Sequence, residues 1–402
     1  MLGSGELIGC RGWNQRGHEG QGVRREGNGG VEFGQRGGHT GDSRIVGRVI
    51  VIGGGAAGFC GAIACAEAGG GGEFVILEKG PAVLGKVRIS GGGRCNVTHS
   101  CFEPADLVEC YPRGRRSLIG PLHHWQPRET VAWFEAHGVQ LKTEEDGRMF
   151  PVTDDSQTVI DCLTGAARDL GVRWRTRCGV AGVRPAGGGG GFVVQTTTGE
   201  ELTADCLLVA TGGVRSGEAR RPVEQLGHTL EPPVPSLFTF HIEDERLRDL
   251  PGISVPEAVV NWGKLRTEGP VLITHWGLSG PAILKLSALG ARELAAREYR
   301  FEVCVDWSGG LTADEWEDAV KRMREASGAR RVVTRSPLSR VPRRLWERLA
   351  SFAGVGEDMT WATRPRAQRL ALGEALRASR FNVQGKSLNK EEFVTCGGVR
   401  LR

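Results

Sequence analysis

Two short unbroken apolar runs, Val49-Ile50-Val51-Ile52 and Phe74-Val75-Ile76-Leu77, flank a glycine turn and an alanine-rich stretch. Four apolar residues bounded by glycine are too few for a helix and read as a buried strand, whereas the alanine-rich stretch has helical composition. The pattern predicts strand, helix, strand. Farther on, the runs Gly191 to Thr196 and Leu207 to Ala210 lie either side of the turn signal Thr198-Gly199-Glu200 and predict a strand pair. Strands alternate with helices to about residue 230. From Pro232 to about Val305, short strand-like runs rich in Pro, Val, Phe and Ile predict a β-rich inserted region. Apolar residues then recur at helical spacing over Ala313 to Glu325, Arg343 to Phe352 and Ala367 to Ala378. The basic residues around them, Arg330, Arg331, Arg335, Arg340, Arg343 and Arg344, read as a solvated face rather than a ligand patch.

Length and composition narrow the classes. A chain of 402 residues exceeds what one core usually fills, so two or three domains are expected. The net charge of +5 is small for this size, and no long run of one sign stands out, so no nucleic-acid partner is expected. No stretch approaches the roughly 20 apolar residues of a spanning helix, so no membrane partner is expected either and a soluble protein is. The 11 cysteines are scattered, with no C-x-x-C pair and no Cys/His cluster at metal spacing. They predict reduced thiols in an intracellular compartment and no metal site. Residues 1–47 are rich in Gly and Arg and poor in apolar residues, which predicts a disordered or targeting extension. As a transit segment it would send the protein to a plastid or mitochondrion rather than the cytoplasm, but Glu6, Glu19, Glu26, Glu32 and Asp42 are more acid than such segments carry.

The candidate chemistry begins at the end of the first strand. Gly53-x-Gly55-x-x-Gly58 follows a strand and opens a helix, the context in which this pattern is informative. Gly53 permits the tight turn, Gly55 lets backbone approach a pyrophosphate, and Gly58 lets helix pack on strand. The amides of Gly54, Ala56 and Ala57 belong to the same helix start, which favours phosphate charge. Glu78 closes the second strand, where a carboxylate can accept from the adenosine ribose hydroxyls. The run Gly69-Gly70-Gly71-Gly72 lengthens the loop between helix and strand. This unit specifies a dinucleotide and leaves NAD and FAD both open.

The next segment decides between them. Gly85 to Thr98 reads as a polar, glycine-rich loop containing Ile89-Ser90-Gly91-Gly92-Gly93-Arg94-Cys95-Asn96-Val97-Thr98. It resembles the BaiN-like, aminoacetone-oxidase-like family of FAD-binding oxidoreductases, whose signature is I-S-G-G-G-R-C-N-x-T-N; His99 replaces the final Asn. Gly147-Arg148-Met149-Phe150-Pro151, Ala210-Thr211-Gly212-Gly213, Pro235-Ser236-Leu237, Leu272 to Pro281 and Thr395 to Val399 resemble further family segments, in family order over residues 48–402. The resemblance implies an α/β fold: an FAD/NAD(P)-binding Rossmann-like domain of the glutathione-reductase type, with an inserted β-rich domain and a small helical domain. The expected boundaries are 48–232 for the first part of the FAD domain, 233–310 for the insert, 311–384 for the helices and 385–402 for a returning FAD-domain segment. FAD is the implied cofactor, with NAD(P)H as a candidate co-substrate. Its expected contacts are Gly53, Gly54, Gly55, Ala56, Ala57, Gly58, Glu78, Lys79, Lys86, Ser90, Gly91, Gly92, Gly93, Arg94, Cys95, Asn96, Thr98, Ala210, Thr211, Gly212 and Gly213. A competing reading of Arg94 and Asn96 is that they only hold the loop together.

The implied function is an FAD-dependent oxidoreductase acting on a small molecule, since in such enzymes the cofactor carries the redox step. Catalytic residues stay unassigned, with Cys95 and His275 as the two candidates. Arg94 would lower the Cys95 pKa if the thiol served redox chemistry, although a packing role is the favoured reading. His275 and Trp276 lie in a turn-rich loop where histidine could act as acid or base, or be a hydrogen-bonded core residue. Cys60 and Cys65 have a reductase-like spacing, but fall on different faces of the first helix and are rejected as a redox pair. Two departures from the family are expected to matter. The segment after Gly213 is short and basic, and the chain stops at Arg402 where relatives continue, which suggests a truncated product lacking one wall of the cofactor pocket. A catalytically inactive flavoprotein remnant is therefore the alternative function, and an FAD-dependent RNA-modifying enzyme a third. Oligomeric state is not legible.

Overall fold

Residues 49–52 and 74–77 form unbroken apolar runs because both faces of their sheet are covered. Val49, Val51, Phe74 and Ile76 face a core shared with Phe59, Ala62 and Ile63 of the helix Ala56–Glu67 and Val159, Ile160 and Leu163 of the helix Ser156–Asp169. Ile50, Ile52, Val75 and Leu77 face a second core with Val183, Phe192 and Val194. The computed structural model describes residues 6–8, 47–68, 71–188, 190–214, 216–327, 336–356, 358–362, 365–387 and 394–401. Two compact units divide the chain: Met1–Leu230 with Val399–Arg402, and Glu231–Gly398.

The first unit is built on a five-stranded sheet. Its order is Glu6–Ile8, Cys206–Val209, Arg48–Ile52, Glu73–Leu77, Arg173–Arg175, parallel except for Glu6–Ile8. The first three predicted elements are therefore present: strand Arg48–Ile52, helix Ala56–Glu67, strand Glu73–Leu77. Gly69 and Gly70 of the lengthened loop lie outside the described residues, as does the 1–47 extension apart from Glu6–Ile8 and Gly47.

Two expectations are corrected in this unit. The runs at 191–196 and 207–210 are not a pair. Phe192–Thr196 pairs with Glu201–Ala204 and with Val180–Pro185 in a three-stranded antiparallel sheet, whereas Cys206–Val209 joins the parallel sheet. The turn at Thr198-Gly199 thus returns the chain into Glu201–Ala204, whose polar outer positions conceal it as a strand. The second correction concerns residues 85–98, which are not a plain loop. They form a short helix Gly85–Ile89, a 3-10 turn Ser90–Gly93 and a strand Thr98–His99 that pairs with Arg148–Pro151.

The second unit carries a seven-stranded antiparallel sheet in the order Ser379–Val383, Phe301–Asp306, Ser254–Trp262, Leu265–Thr274, Gly277–Ser279, Phe240–His241, Gly385–Lys386. The three predicted helices are Ala313–Ser327, Arg343–Phe352 and Arg366–Arg377. Their apolar stripes bury Trp316, Leu345, Trp346, Leu349, Leu372 and Leu376 in the same core as Val303, Val305 and Phe381 of the sheet. The expected boundaries at 310 and 384 therefore fall inside one unit, because helices with one apolar stripe need a sheet to cover it and the strands supplying it come before and after them in sequence. Val394–Val399, expected as the start of a returning strand, pairs with Leu230–Ser236 in a two-stranded sheet. Of the basic residues read as a solvated face, Arg340 pairs with Glu257, Arg343 with Glu347 at 2.7 Å, and Arg344 donates to the Asp249 carbonyl; Arg330, Arg331 and Arg335 lie outside the described residues.

Two helix-interior glycines give opposite expectations. A Cβ at Gly165 meets no heavy atom within 4 Å, so Gly165→Ala should raise stability by about 0.5–1 kcal/mol through helix propensity and unfolded-chain entropy. A Cβ at Gly373 would lie 2.6 Å from Nε1 of the fully buried Trp316, so Gly373→Ala should lose about 1–3 kcal/mol to overpacking. Denaturant unfolding of both variants checks the two signs.

Candidate cofactor site

The strand Arg48–Ile52 ends at Gly53, whose φ of 115° lies in a region that favours glycine and whose amide donates to the Leu77 carbonyl at 2.9 Å. A Cβ at Gly53 would overlap the Ala210 carbonyl oxygen, and one at Gly58 would overlap that of Gly53. Gly55 is different. It caps the helix Ala56–Glu67 in extended conformation, no side chain caps the helix, and no acid stands in its first turn. A Cβ built on Gly55 meets nothing within 4 Å. The Ala56, Ala57 and Gly58 end of the helix thus opens on a space bordered by bare backbone, where orphan amides and the helix dipole favour an anion.

Glu78 stands at the end of the next strand and is held from two sides. Its Oε2 accepts the Gly54 amide at 2.8 Å, and its Oε1 accepts the Gly80 amide at 2.6 Å. A carboxylate has about four lone-pair directions, so two remain for hydroxyl donors such as those of a ribose. Leu84, in the left-handed region at φ 56°, donates its amide to Gly54 O at 2.8 Å and ties the helix Gly85–Ile89 to the same turn. Lys86 is exposed on that helix, and Lys79 is exposed and ion-paired with Glu218 at 3.4 Å. On the third side, Ala210 donates to Ile52 O at 2.8 Å, Thr211 is half-buried, and Gly212 and Gly213 are exposed with Gly212 at φ 76°.

In the segment Ser90 to Thr98 the polar side chains of Ser90, Arg94 and Asn96 bond within the protein. Ser90 Oγ donates to Val87 O at 2.9 Å. Arg94 lies 4.0 Å over the Phe150 ring and pairs with Glu144 at 2.5 Å and Asp154 at 3.5 Å. The Asn96 amide, oriented with its nitrogen toward carbonyls, donates to Thr98 O at 2.9 Å and Met149 O at 3.3 Å. Thr98 pairs with Met149 through the strand. These side chains hold the segment against Arg148–Pro151. What the segment presents outward is backbone: Gly91, Gly92 and Gly93 have φ of 58°, 70° and 89°, Gly91 and Gly92 are exposed, and a Cβ at Gly92 or Gly93 meets nothing within 4 Å.

For Cys95, the surroundings favour the packing reading over an activated thiol. Burial pushes its pKa up, a hydrogen bond with Ser90 only partly opposes this, and Arg94 is committed to Glu144 instead. Burial likewise pushes Cys60 up to about 11, and Cys60 and Cys65 both lie in the helix Ala56–Glu67. His275 is not core: it is exposed, and with Trp276, 55 % exposed, it forms the turn between Leu265–Thr274 and Gly277–Ser279 in the second unit. Leu84, Gly80, Glu144, Asp154 and Phe150 shape the site without having been singled out for it. Phe150 lay in a recognised segment, while Glu144 and Asp154 carry no spacing signal, because their role depends on a strand pairing across about 50 residues.

The chain matches the HI0933-like protein Rossmann domain over residues 47–402. It belongs to that family, a family of FAD-dependent oxidoreductases. The first unit, which carries the cradle around Gly55 and Glu78, is accordingly a Rossmann-type FAD-binding domain. Among curated relatives, the ribosomal RNA dihydrouridine synthase of Escherichia coli is 30% identical over 60% of this chain and 60% of its own. The 3-dehydro-bile acid delta(4,6)-reductase of Clostridium scindens is 27% identical over 60% of this chain and 59% of its own. The chain thus spans about 60% of the length of the curated relatives it matches. A solved 3-ketosteroid-delta4-(5alpha)-dehydrogenase from Rhodococcus jostii shares 14% identity, covers 70% of each chain and gives a TM-score of 0.37, too low to bear on the site.

The two glycines separate ligand binding from folding. Gly55→Ala should lower the unliganded melting temperature by only the small cost of a poorer helix cap while abolishing most of any rise on adding FAD, because its methyl occupies only the open space. Gly58→Ala should lower the unliganded melting temperature more, from the loss of about 1–3 kcal/mol to an overpacked contact with the Gly53 carbonyl. Thermal melts with and without FAD check both.

Proposed function

We propose that the chain binds FAD through this cradle and reduces a C=C bond conjugated to a carbonyl on a small molecule, with NAD(P)H as the electron source. The observation that carries the reading is the open, uncapped helix start at Gly55 beside a Glu78 carboxylate already oriented by the Gly54 and Gly80 amides. In that arrangement the Ala56 to Gly58 amides would hold the pyrophosphate and Glu78 the adenosine ribose. The bare backbone of Gly91 to Gly93 and of Gly212 offers close approach elsewhere along the cofactor. Bound FAD supplies two-electron transfer between a nicotinamide and an organic acceptor.

The substrate class comes from chemistry common to the relatives' names. Dihydrouridine is uridine with a C=C bond beside a carbonyl reduced, and a delta(4,6)-reductase of a 3-dehydro compound reduces C=C bonds in conjugation with a ketone. Conjugation makes the β-carbon electrophilic, so it accepts a hydride while the α-carbon takes a proton from the medium. The balance is one NAD(P)H and one proton consumed per C=C bond reduced.

Purified protein mixed with FAD and freed of excess should keep the visible flavin bands. NADPH or NADH added without oxygen should bleach them, and a conjugated enone, but not the matching saturated ketone, should restore them. No flavin retained after reconstitution defeats the reading altogether; retention without nicotinamide bleaching defeats the electron source, and equal recovery with the saturated ketone defeats the substrate class.

A further inference from the structure

The seven-stranded sheet of the second unit buries one face in its core and turns the other outward, and the outward face changes character along its length. At the end formed by Ser379–Val383 and Phe301–Asp306 it carries Arg380 paired with Glu302 at 2.7 Å, beside the exposed Asn382. Near the start of Leu265–Thr274 it carries Arg266 against Glu268 at 2.5 Å. Charged pairs are what a solvated sheet face ordinarily shows. The other end is different. Phe238, Phe240 and Ile242 are buried in the core, so the alternation of a strand turns Thr239 and His241 outward. Their neighbours on that face are Leu272, Thr274 and Ser279, with glycine at 277 and 385. No Lys, Arg, Asp or Glu stands among these outward positions.

Two donors on this uncharged end are unspent. Thr239 Oγ1 donates to Ser279 Oγ at 2.9 Å, which leaves the Ser279 hydroxyl hydrogen with no acceptor among the described residues. His241 is half-buried, and its ring makes no hydrogen bond among the described residues; the Glu243 carboxylate, just past the strand, is 3.8 Å from its Nε2. Half-buried polar groups of this kind bond to whatever occupies the space above them, water or ligand. Beside them stands Trp276, with its ring centroid 6.4 Å from that of His241. Its turn is rigid. The Trp276 amide donates to Thr274 Oγ1 at 3.2 Å and its carbonyl accepts the Ile242 amide at 2.9 Å. Gly277, at φ 134°, lies where a Cβ would overlap the Phe240 carbonyl oxygen. Trp307, Trp316, Trp346 and Trp361 of the same unit are buried, whereas this indole is held out of the core by a turn without freedom.

We propose that this end of the sheet is a binding site for an uncharged, flat carbonyl compound, with Trp276 packing on its carbon framework and His241 and Ser279 donating to its carbonyl oxygen. A carbonyl oxygen accepts two hydrogen bonds, which matches the two unspent donors. Reduction of a conjugated C=C bond builds negative charge on that oxygen, so donors already aimed at it strengthen as the reaction proceeds. A carboxylate is the poorer fit, because Glu243 stands beside His241. The choice of an enone rests on the proposed reduction; the neutral carbonyl class follows from the face alone. A second copy of the chain laid along the edge strand Gly385–Lys386 is the competing occupant.

The test uses the full chain reconstituted with FAD and, as probe, trans-4-phenyl-3-buten-2-one. Binding is read without nicotinamide, by titration with saturation-transfer NMR, so it needs no electron transfer and is run on the chain as purified if flavin is not retained. Trp276→Ala should weaken binding about fivefold, and cinnamate, the matching carboxylate, should bind about fivefold more weakly than the enone. Asn382→Ala, at the charged end of the face, should bind as the parent does. In anaerobic stopped flow, His241→Phe should slow reoxidation of the flavin by the enone about tenfold while bleaching by NADPH keeps the parent rate. Circular dichroism melts confirm that each variant is folded. Absence of bleaching in the parent defeats the proposed electron source and leaves the titration to decide the site. Parent-like binding by Trp276→Ala, cinnamate bound as tightly as the enone, or a parent dimer in sedimentation that Trp276→Ala dissociates would overturn the site.

Discussion

The helix Ala56–Glu67 starts where it does because backbones meet at its origin with no side chain between them. Gly58 lies against the Gly53 carbonyl, Gly53 against the Ala210 carbonyl, and Gly54 against Glu78, where a Cβ would come within 2.9 Å of the Glu78 Cβ. These contacts draw the ends of three parallel strands together and aim the helix start into the space beside Gly55. The cost of losing them is larger than one clash. The helix buries Phe59, Ala62 and Ile63 on the sheet, and each large apolar side chain lifted off it forfeits about 1.5–3 kcal/mol of burial. Packing of the core and shape of the cradle are therefore set by the same close approach.

From that fixed turn the second layer of the site is tied on in sequence. Leu84 accepts a left-handed backbone to bond Gly54, which places the helix Gly85–Ile89, and the glycine turn that follows is pinned through its own side chains. Each link is modest. The Arg94 ion pairs are partly exposed, so solvent screens them. Together with the Arg94 stack on the buried Phe150 ring and the Asn96 bonds to strand carbonyls, they remove conformational freedom from Gly91 to Gly93 before any ligand arrives. A segment ordered in advance spares a binding event that entropy, so side chains that only brace the turn can still govern affinity there.

The division between what sequence reveals and what it conceals follows the range of the interactions. The glycine roles, the first βαβ unit and the amphipathic helices depend on neighbours within a few residues, and these were legible. The direction of the Ser90, Arg94 and Asn96 side chains was not, because it depends on left-handed backbone at Gly91, Gly92 and Cys95 and on a strand about 50 residues away. The same holds for Cys206–Val209, which resembles a hairpin strand locally but belongs beside Arg48–Ile52, and for Ser379–Val383, which closes a sheet begun more than 100 residues earlier. Alternation shows that a segment is a strand; it does not name the partner.

The helix Arg115–His124 poses the opposite problem, since neither local preference nor tertiary burial accounts for it. Ten residues are too few for a stable isolated helix, and Pro121 inside it removes one backbone bond. No residue of it is buried, so little apolar area offsets the ordering cost. What holds it is the Arg115–Glu109 pair, the Arg115 bond to Tyr111 O and the half-buried side of Leu118, Ile119 and Leu122. Natural sequences are otherwise consistent across levels, and local exceptions concentrate at functional sites. The arginines of this helix stay in solvent, as Arg168, Arg322, Arg343 and Arg344 do on the other long helices; it differs from the helices Ala313–Ser327 and Arg343–Phe352, which bury Trp316 and Trp346, in having no large side chain to anchor it.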